Sequence, residues 1–324
     1  MALTLAQAKE LSDSKLTNQI IDEFRKSTIL DDLTFDNTVK VQGGKTLAYV
    51  YNRITTQPTA GTRAVNGEYT SQETVTTQKT VNLKIMGGSY ELDRVIANDE
   101  KQVVDQVEFQ TTQKAKATRA CFHDLFINGN SATDATQFDG IDKAVTGSTT
   151  ERNTAAVIDL SDSAKIDSNY KDFLYQIRKL EAAMDEKPTH YLMNSDLYAV
   201  FQTIADRVPN IHYVKNELGE EVLHYGKAKL VELGDKPGTT NPIIANGNVS
   251  ISSTNYTGVT SLYAVRMGLD GVHGVSPDGN TLIKHYYPDF KTAGAVKKGE
   301  VEFVGAIAIK ATKSVGAIRN IKVA

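Results

Sequence analysis

A long hydrophilic stretch lies between two alternating strand patterns. It reads TTQPTAGTRAVNGEYTSQETVTTQK from Thr55 to Lys79, and its only sizeable apolar side chains are Val65, Tyr69 and Val75. Compact domains seldom carry so long a connection without structure of its own, and where they do it is usually functional or disordered. The flanks choose between these. Leu47, Tyr49 and Tyr51 alternate before the tongue and Val81, Leu83 and Ile85 alternate after it, the pattern of two half-buried strands of one antiparallel arm. A two-stranded ribbon is marginal by itself in water. The tip therefore needs support from outside the chain, and the sequence reads as a subunit completed by its neighbours.

Composition narrows the class. The 324 residues are 40% hydrophobic and 23% charged, ordinary for a globular protein with one elaborated domain or two. No apolar run is long enough to span a bilayer, and the start, MALTLAQAKELSDSK, lacks the basic and apolar regions of a secretion signal. Cys121 is the single cysteine, which rules out an intrachain disulfide and suits a reducing compartment. Net charge is −3, with five basic against seven acidic side chains in the first forty residues. Dedicated nucleic-acid binding rests on neutralising phosphates, so this balance disfavours it, while allowing nucleic acid to lie nearby ungripped.

Along the chain, residues 1–40 hold two short helical patterns, capped by Thr4 and Ser14, followed by an arm-like segment with Ile29, Leu30, Leu33 and Phe35. After Gly87-Gly88, Tyr90 and Leu92 comes the strongest helix pattern. It has Asn98 as N-cap, Asp99 and Glu100 in the first turn, Lys114, Lys116 and Arg119 later, and Gly129 as the stop. A helix from 98 to 127 would be roughly 45 Å long, a spine for the subunit. Residues 131–151 read as loop. Asp167 or Ser168 then caps a helix carrying Tyr170, Phe173, Leu174, Ile177, Leu180 and Met184, with Pro188 ending it. Tyr191–Met193 makes a buried strand, and Asn194 or Ser195 caps a helix with Leu197, Val200, Phe201 and Ile204. A hairpin joins 211–214 to 222–225 through Glu217-Leu218-Gly219-Glu220. Short strands follow at 230–233, 242–245 and 262–265, then an alternating strand with Val301, Phe303, Gly305, Ile307 and Ile309, and a last strand with Ile318, Ile321 and Val323.

Motifs for catalysis are missing. There is no GxxxxGK[ST] loop, GxSxG elbow or HExxH pair. Gly268, Gly271 and Gly274 in GLDGVHG read as a tight turn between strands. The histidines His123, His190, His212, His224, His273 and His285 are scattered. His212 and His224 could face each other across the hairpin as a two-ligand clip, but two ligands do not close a zinc site, so partly exposed sheet residues are the favoured reading. Cys121 and His123 lie two apart on one helix and do not face each other. The expectation is a protein with no catalytic residues, no metal and no cofactor, and the alternative of another class is a soluble α+β enzyme with a non-local site.

The order of parts resembles the major capsid proteins of tailed bacteriophages, which have the Hong Kong 97-like capsid fold, shared in outline with encapsulin shells. Three stretches carry the likeness: GGKTLAYVYNRI with the tongue and its return to GGSYELDRV, the helix–strand–helix run from Tyr170 through THYLMNSDLYAVFQTIAD, and the ending VEFVGAIAIKATKSVGAIRNIKV. The resemblance implies an α+β chain with an N-terminal arm over 1–45 and an extended β-loop over 46–90. It implies a peripheral domain with the spine helix over 91–150, completed by about 291–315, and an axial domain over 151–290, completed by 316–324. It further implies a structural protein assembling as hexamers and pentamers into an icosahedral head around double-stranded DNA, without sequence-specific binding. The expected location is the virion, after assembly in the host cytoplasm. A portal protein and, given the short segment before the loop, a separate scaffolding protein are the expected partners. Some relatives join subunits through a lysine–asparagine bond, for which Lys79 and Lys84 are available without a matched asparagine. Within the fold, the alternative is an encapsulin-like compartment. In the tongue, Arg63, Glu68, Tyr69 and Glu73 are the expected inter-subunit contacts, since Tyr and Arg dominate interface energies once desolvated.

Overall fold

The computed structural model describes residues 29–38, 47–97, 106–215, 219, 221–277 and 283–324. The caps expected at Thr4, Ser14 and Asn98 and the acidic turn at Asp99 and Glu100 lie outside these residues. In chain order the first elements are α1 (Ile29–Asp32), β1 (Phe35–Asn37), β2 (Ala48–Thr56), β3 (Val75–Asn82), β4 (Lys84–Asp93), α2 (Arg94–Ala97), α3 (Gln106–Asn128) and α4 (Ile141–Val145). The middle holds β5 (Glu151–Asp159), α5 (Ser163–Ala183), β6 (His190–Met193), α6 (Ser195–Ala205), β7 (Ile211–Lys215), β8 (Glu221–Tyr225) and β9 (Ala228–Glu232). The chain closes with β10 (Gly247–Ile251), β11 (Thr254–Val265), β12 (Val272–Ser276), β13 (Ile283–Tyr286), β14 (Val296–Ile309) and β15 (Val315–Lys322).

Two sheets and a detached ribbon organise these strands. In the first sheet β14 is the hub. It pairs antiparallel with β4, β12 and β13, while β1 joins β12 in parallel. The second sheet runs β5-β15-β11-β6-β9-β8-β7, with β10 added to β11. The β5/β15 and β6/β9 pairs are parallel. Alternation in β14 puts Val301 and Phe303 inward, fully buried, as period-two strands require.

Aromatic packing ties the first sheet to the long helix. Phe122 of α3 lies 5.2 Å from Phe303, 5.8 Å from Phe138, 6.2 Å from Phe126 and 6.2 Å from Phe35 between ring centroids, distances at which tilted and edge-on rings attract. Phe35 reaches this cluster because Gly274 leaves room: a Cβ there would sit 2.4 Å from its ring. The described part of α3 has 23 residues, roughly 35 Å at 1.5 Å each. Phe122 and Phe126 are buried, while Val107, Ala115 and Leu125 are half-buried. The helix stops at Gly129, whose N–H donates to Leu125 O (3.0 Å) and whose carbonyl accepts from Gly140 N–H at 2.7 Å.

A second apolar cluster fills the space between the eight-stranded sheet and α5 and α6, with Phe173 and Phe201 edge-on at 5.3 Å. Here several expectations need correction. Helix α5 starts earlier than Asp167 or Ser168, because the Asp162 side chain accepts from Lys165 N–H at 2.8 Å and caps it. Asp167 instead pairs with Arg207. The helix ends at Ala183, before Pro188. Residues 242–245 form no strand, only an isolated bridge between Asp235 and Pro242. Strands β5 and β10 and helix α4 had no place in the sequence reading, and Ile85 lies in β4 and is 65% exposed. Asn194 does cap α6, accepting from Leu197 N–H at 3.1 Å. Gly268 and Gly271 do form the turn before β12.

Candidate assembly interface

The tongue is the projecting part of the molecule. β2 and β3 pair antiparallel from Ala48↔Asn82 to Thr56↔Val75, and residues 57–74 between them carry no regular structure. From Ile54 to Thr80 every residue except Gly67 is exposed. Val65 is 90% exposed and Tyr69 66%. A ribbon this poor in apolar contacts gains almost nothing from its own burial.

Its tip is nevertheless shaped. Asn66 adopts φ +67° and closes a turn in which Gly67 N–H donates to Ala64 O at 3.0 Å; Asn tolerates this left-handed region better than most residues. The Arg63 guanidinium donates to the carbonyls of Ala64 and Gly67 and lies over the Tyr69 ring, 5.4 Å from its centroid. Thr59 donates from both its N–H and its hydroxyl to Gln72 Oε1, each at 2.7 Å, linking the two limbs. So the structure brings Arg63 and Tyr69 together. Glu68 and Glu73 are exposed and have no cationic partner among the described residues.

The root is pinned to the body. Tyr49, Tyr51 and Arg53 share one face of β2, as alternate residues must. Tyr49 OH donates to Asp36 Oδ2 (2.7 Å) and Tyr51 OH to Ile309 O (2.8 Å). Arg53 Nε donates to Lys310 O at 2.8 Å, and its Nη2 to Ile309 O. Burial, and then Asp36, push the Tyr49 phenol well above its ordinary value. Sequence reasoning found the two tyrosines but missed Arg53 and Asp36; the i, i+2 spacing after Tyr51 was the available signal for Arg53. Of the two lysines considered for cross-linking, Lys79 is exposed opposite Tyr51, and Lys84 donates to Ala135 O.

The segment before the ribbon is held as firmly. Ile29, Leu30 and Leu33 are buried, and Leu30 N–H donates to His123 Nε2 at 3.1 Å. Asp32 lies 2.6 Å from Lys229 Nζ and 3.6 Å from His190 Nε2. Hydrogen bonding from His190, and then from Lys229, holds its carboxyl at about 2 despite burial. Under the ribbon root, His273 is fully buried and neither ring nitrogen has a partner. It meets the Tyr49 ring edge-on at 5.6 Å. Burial, and then Lys310, bring its pKa down to about 4, and burial, then Arg119, bring His123 to about 3.

In sequence the chain matches no protein-family model and no curated protein. In structure it is similar to the holo-SrpI encapsulin complex of Synechococcus elongatus, with TM-score 0.63 and 13% identity, covering 100% of this chain and 97% of that one. It is also similar to the capsid of the native GTA particle (TM-score 0.62, 12% identity, 98% and 99% covered). A third likeness is to the capsid of Myoviridae phage XM1 (TM-score 0.52, 13% identity, 98% and 99% covered). End-to-end coverage at such low identity means that backbone architecture, not shared side chains, carries the likeness: the chain has the Hong Kong 97-like capsid fold.

Proposed function

We propose that this chain is the major structural subunit of an icosahedral phage-type head, self-assembling as hexamers and pentamers around double-stranded DNA. The observation that carries the reading is the ribbon, anchored at Tyr49, Tyr51 and Arg53 and exposed from Ile54 to Thr80. On a fold whose similar structures include capsids, that ribbon has its natural support on an adjoining copy. Arg63, Glu68, Tyr69 and Glu73 would make the contact. The Arg63–Tyr69 stack presents a preorganised aromatic and cationic surface, which lowers the ordering cost of binding. Exposed carboxylates at the rim add specificity more than affinity.

In domain terms, 1–45 serves as the arm and 46–90 as the extended loop. Residues 91–150 form the peripheral unit and the eight-stranded sheet with α5 and α6 the axial unit. The pairing of β12 and β13 with β14 supports starting the return to the peripheral unit near residue 272 rather than 291. A structural role without catalysis, a separate scaffolding protein, a portal and a final location in the virion complete the proposal. An encapsulin-like compartment is the second reading, favoured by the encapsulin likeness; it would enclose protein cargo and form uniform small shells without a scaffold.

Deleting residues 58–74 tests the assignment. The expected result is a soluble, folded subunit that sediments as a small species and shows no shells by negative-stain microscopy. Shells of normal size from the deletion overturn the role given to the ribbon. Nucleic acid inside wild-type particles made in phage-infected cells, as against protein cargo, separates the head from the compartment.

A further inference from the structure

The β7–β8 hairpin, at one edge of the eight-stranded sheet, carries a pair of histidines. His212 of β7 stands in register with His224 of β8. Their ring centroids are 6.3 Å apart and the planes lie 27° from parallel. His212 is exposed and His224 half-buried, so both are within reach of solvent solutes. His224 Nδ1 lies 3.0 Å from Val222 O. A carbonyl oxygen only accepts, so Nδ1 carries the proton and Nε2 keeps its lone pair. Donating the other ring N–H to a backbone carbonyl is the usual way a ligating imidazole is oriented.

We propose that His212 and His224 form a two-histidine clip for a borderline-soft divalent cation: zinc, nickel or copper(II). Two bonds of about 2.0–2.1 Å at a tetrahedral centre place the ligating nitrogens roughly 3.4 Å apart. Residues directly opposite on adjacent antiparallel strands have Cβ atoms about 4.5–5.5 Å apart, a span that two imidazoles sharing one ion can bridge. Imidazole nitrogens select these metals over magnesium and calcium, which prefer oxygen. Among the described residues no cluster of three or more ligating side chains occurs, so water fills the remaining positions and the site stays open and exchangeable. Lys229 stands in register with His224 on β9, and its charge is met by Asp32 at 2.6 Å. Lys215 and Glu221 offset each other three pairs further along the hairpin. The clip would act as a staple. β7 is the outermost strand of its sheet, and a metal bridging it to β8 fixes the register of an otherwise unprotected edge.

Calorimetric titration of the tag-free, full-length protein with nickel chloride, zinc chloride and magnesium chloride tests this. One nickel or zinc ion should bind per chain and magnesium should not. His212→Ala and His224→Ala should each weaken binding by at least about tenfold, and His285→Ala should leave it unchanged. Nickel should also raise the melting temperature of the wild type and leave the His212→Ala/His224→Ala double variant where it was. Absence of saturable nickel or zinc binding to the wild type, undiminished binding in either single variant, or a nickel-dependent rise in the double variant would each overturn the proposal. Because the readout is metal occupancy and hairpin stability, it is independent of whether shells form.

Discussion

At the residue scale, two buried histidines make the chain's stability depend on pH. His273 and His123 have folded pKa values of about 4 and about 3, against 6.5 for the free side chain. Between those values the unfolded chain holds more protons than the folded one, so stability rises with pH there and is lost as pH falls below 6.5. The groups around His273 are Asp36 of β1, Tyr49 of β2 and Lys310 after β14, and the nearest carboxylate already accepts from Tyr49. A proton on His273 therefore finds no ready acceptor. Urea midpoints measured from pH 7 to pH 4 should fall in the wild type, and fall less in His273→Leu, which has nothing to titrate there. Asp32 acts in a lower window. Its folded value of about 2 lies below the ordinary 3.8 of the side chain, so its contribution is present above pH 3.8 and disappears toward pH 2. Packing contributes the other large single-residue effect. Phe122 packs against rings from three other segments of the chain and against Phe126 of its own helix, and is fully buried, so Phe122→Ala should cost about 3–5 kcal/mol in a urea unfolding experiment.

At the element scale, the ribbon behaves as a lever with a fixed fulcrum. The two Arg53 hydrogen bonds and those of Tyr49 and Tyr51 are the fulcrum; the bonds that involve Arg53 or Asp36 are charge-assisted and contribute about 1.5–3 kcal/mol each, the neutral Tyr51 bond about 0.5–1.5 kcal/mol. Arg53→Ala should leave β14 and the aromatic core protected in hydrogen exchange while amides of β2 and β3 exchange faster. Equal protection of β2 and β3 in the variant would mean that strand pairing alone orients the ribbon. How much of each element was legible followed from where its information lies. The alternation in β14 and β15 and the stripe of α6 were plain, because each buries one face against the core. The start of α5 was misplaced, because Asp162, Asp167 and Ser168 are all good capping types and only the geometry selects Asp162. β5 was invisible for a different reason. Its sequence, ERNTAAVID, is half-exposed with an irregular register against β15, and its pairing partners lie 163 or more positions away. The contacts proposed in the tongue were legible only as residue types, and the Arg63–Tyr69 stack depends on the turn at Asn66.

At the scale of the whole molecule, the chain divides its surface between a well-packed body and a ribbon whose outer part, exposed from Ile54 to Thr80, contributes almost nothing to that body's stability. This division suits an assembling subunit, since many modest contacts can form and rearrange where one very tight interface cannot. Single replacements at the tip should therefore separate folding from assembly. Tyr69→Ala should leave the unfolding free energy of the free chain, measured in urea, within about 0.5 kcal/mol of the wild type, as for exposed sites generally, while raising the protein concentration needed for shells seen by light scattering. An unchanged threshold would remove Tyr69 from the interface.

What the sequence settled by itself is the contrast between these parts. Hydrophobic periodicity and its interruption are local properties, so the polar tongue, the long helix and the closing strands could be read directly from residue order. Tertiary structure alone decided which strands share a sheet and that Arg53 and Asp36 hold the ribbon. Those outcomes depend on contacts between distant segments, whose geometry no local pattern encodes.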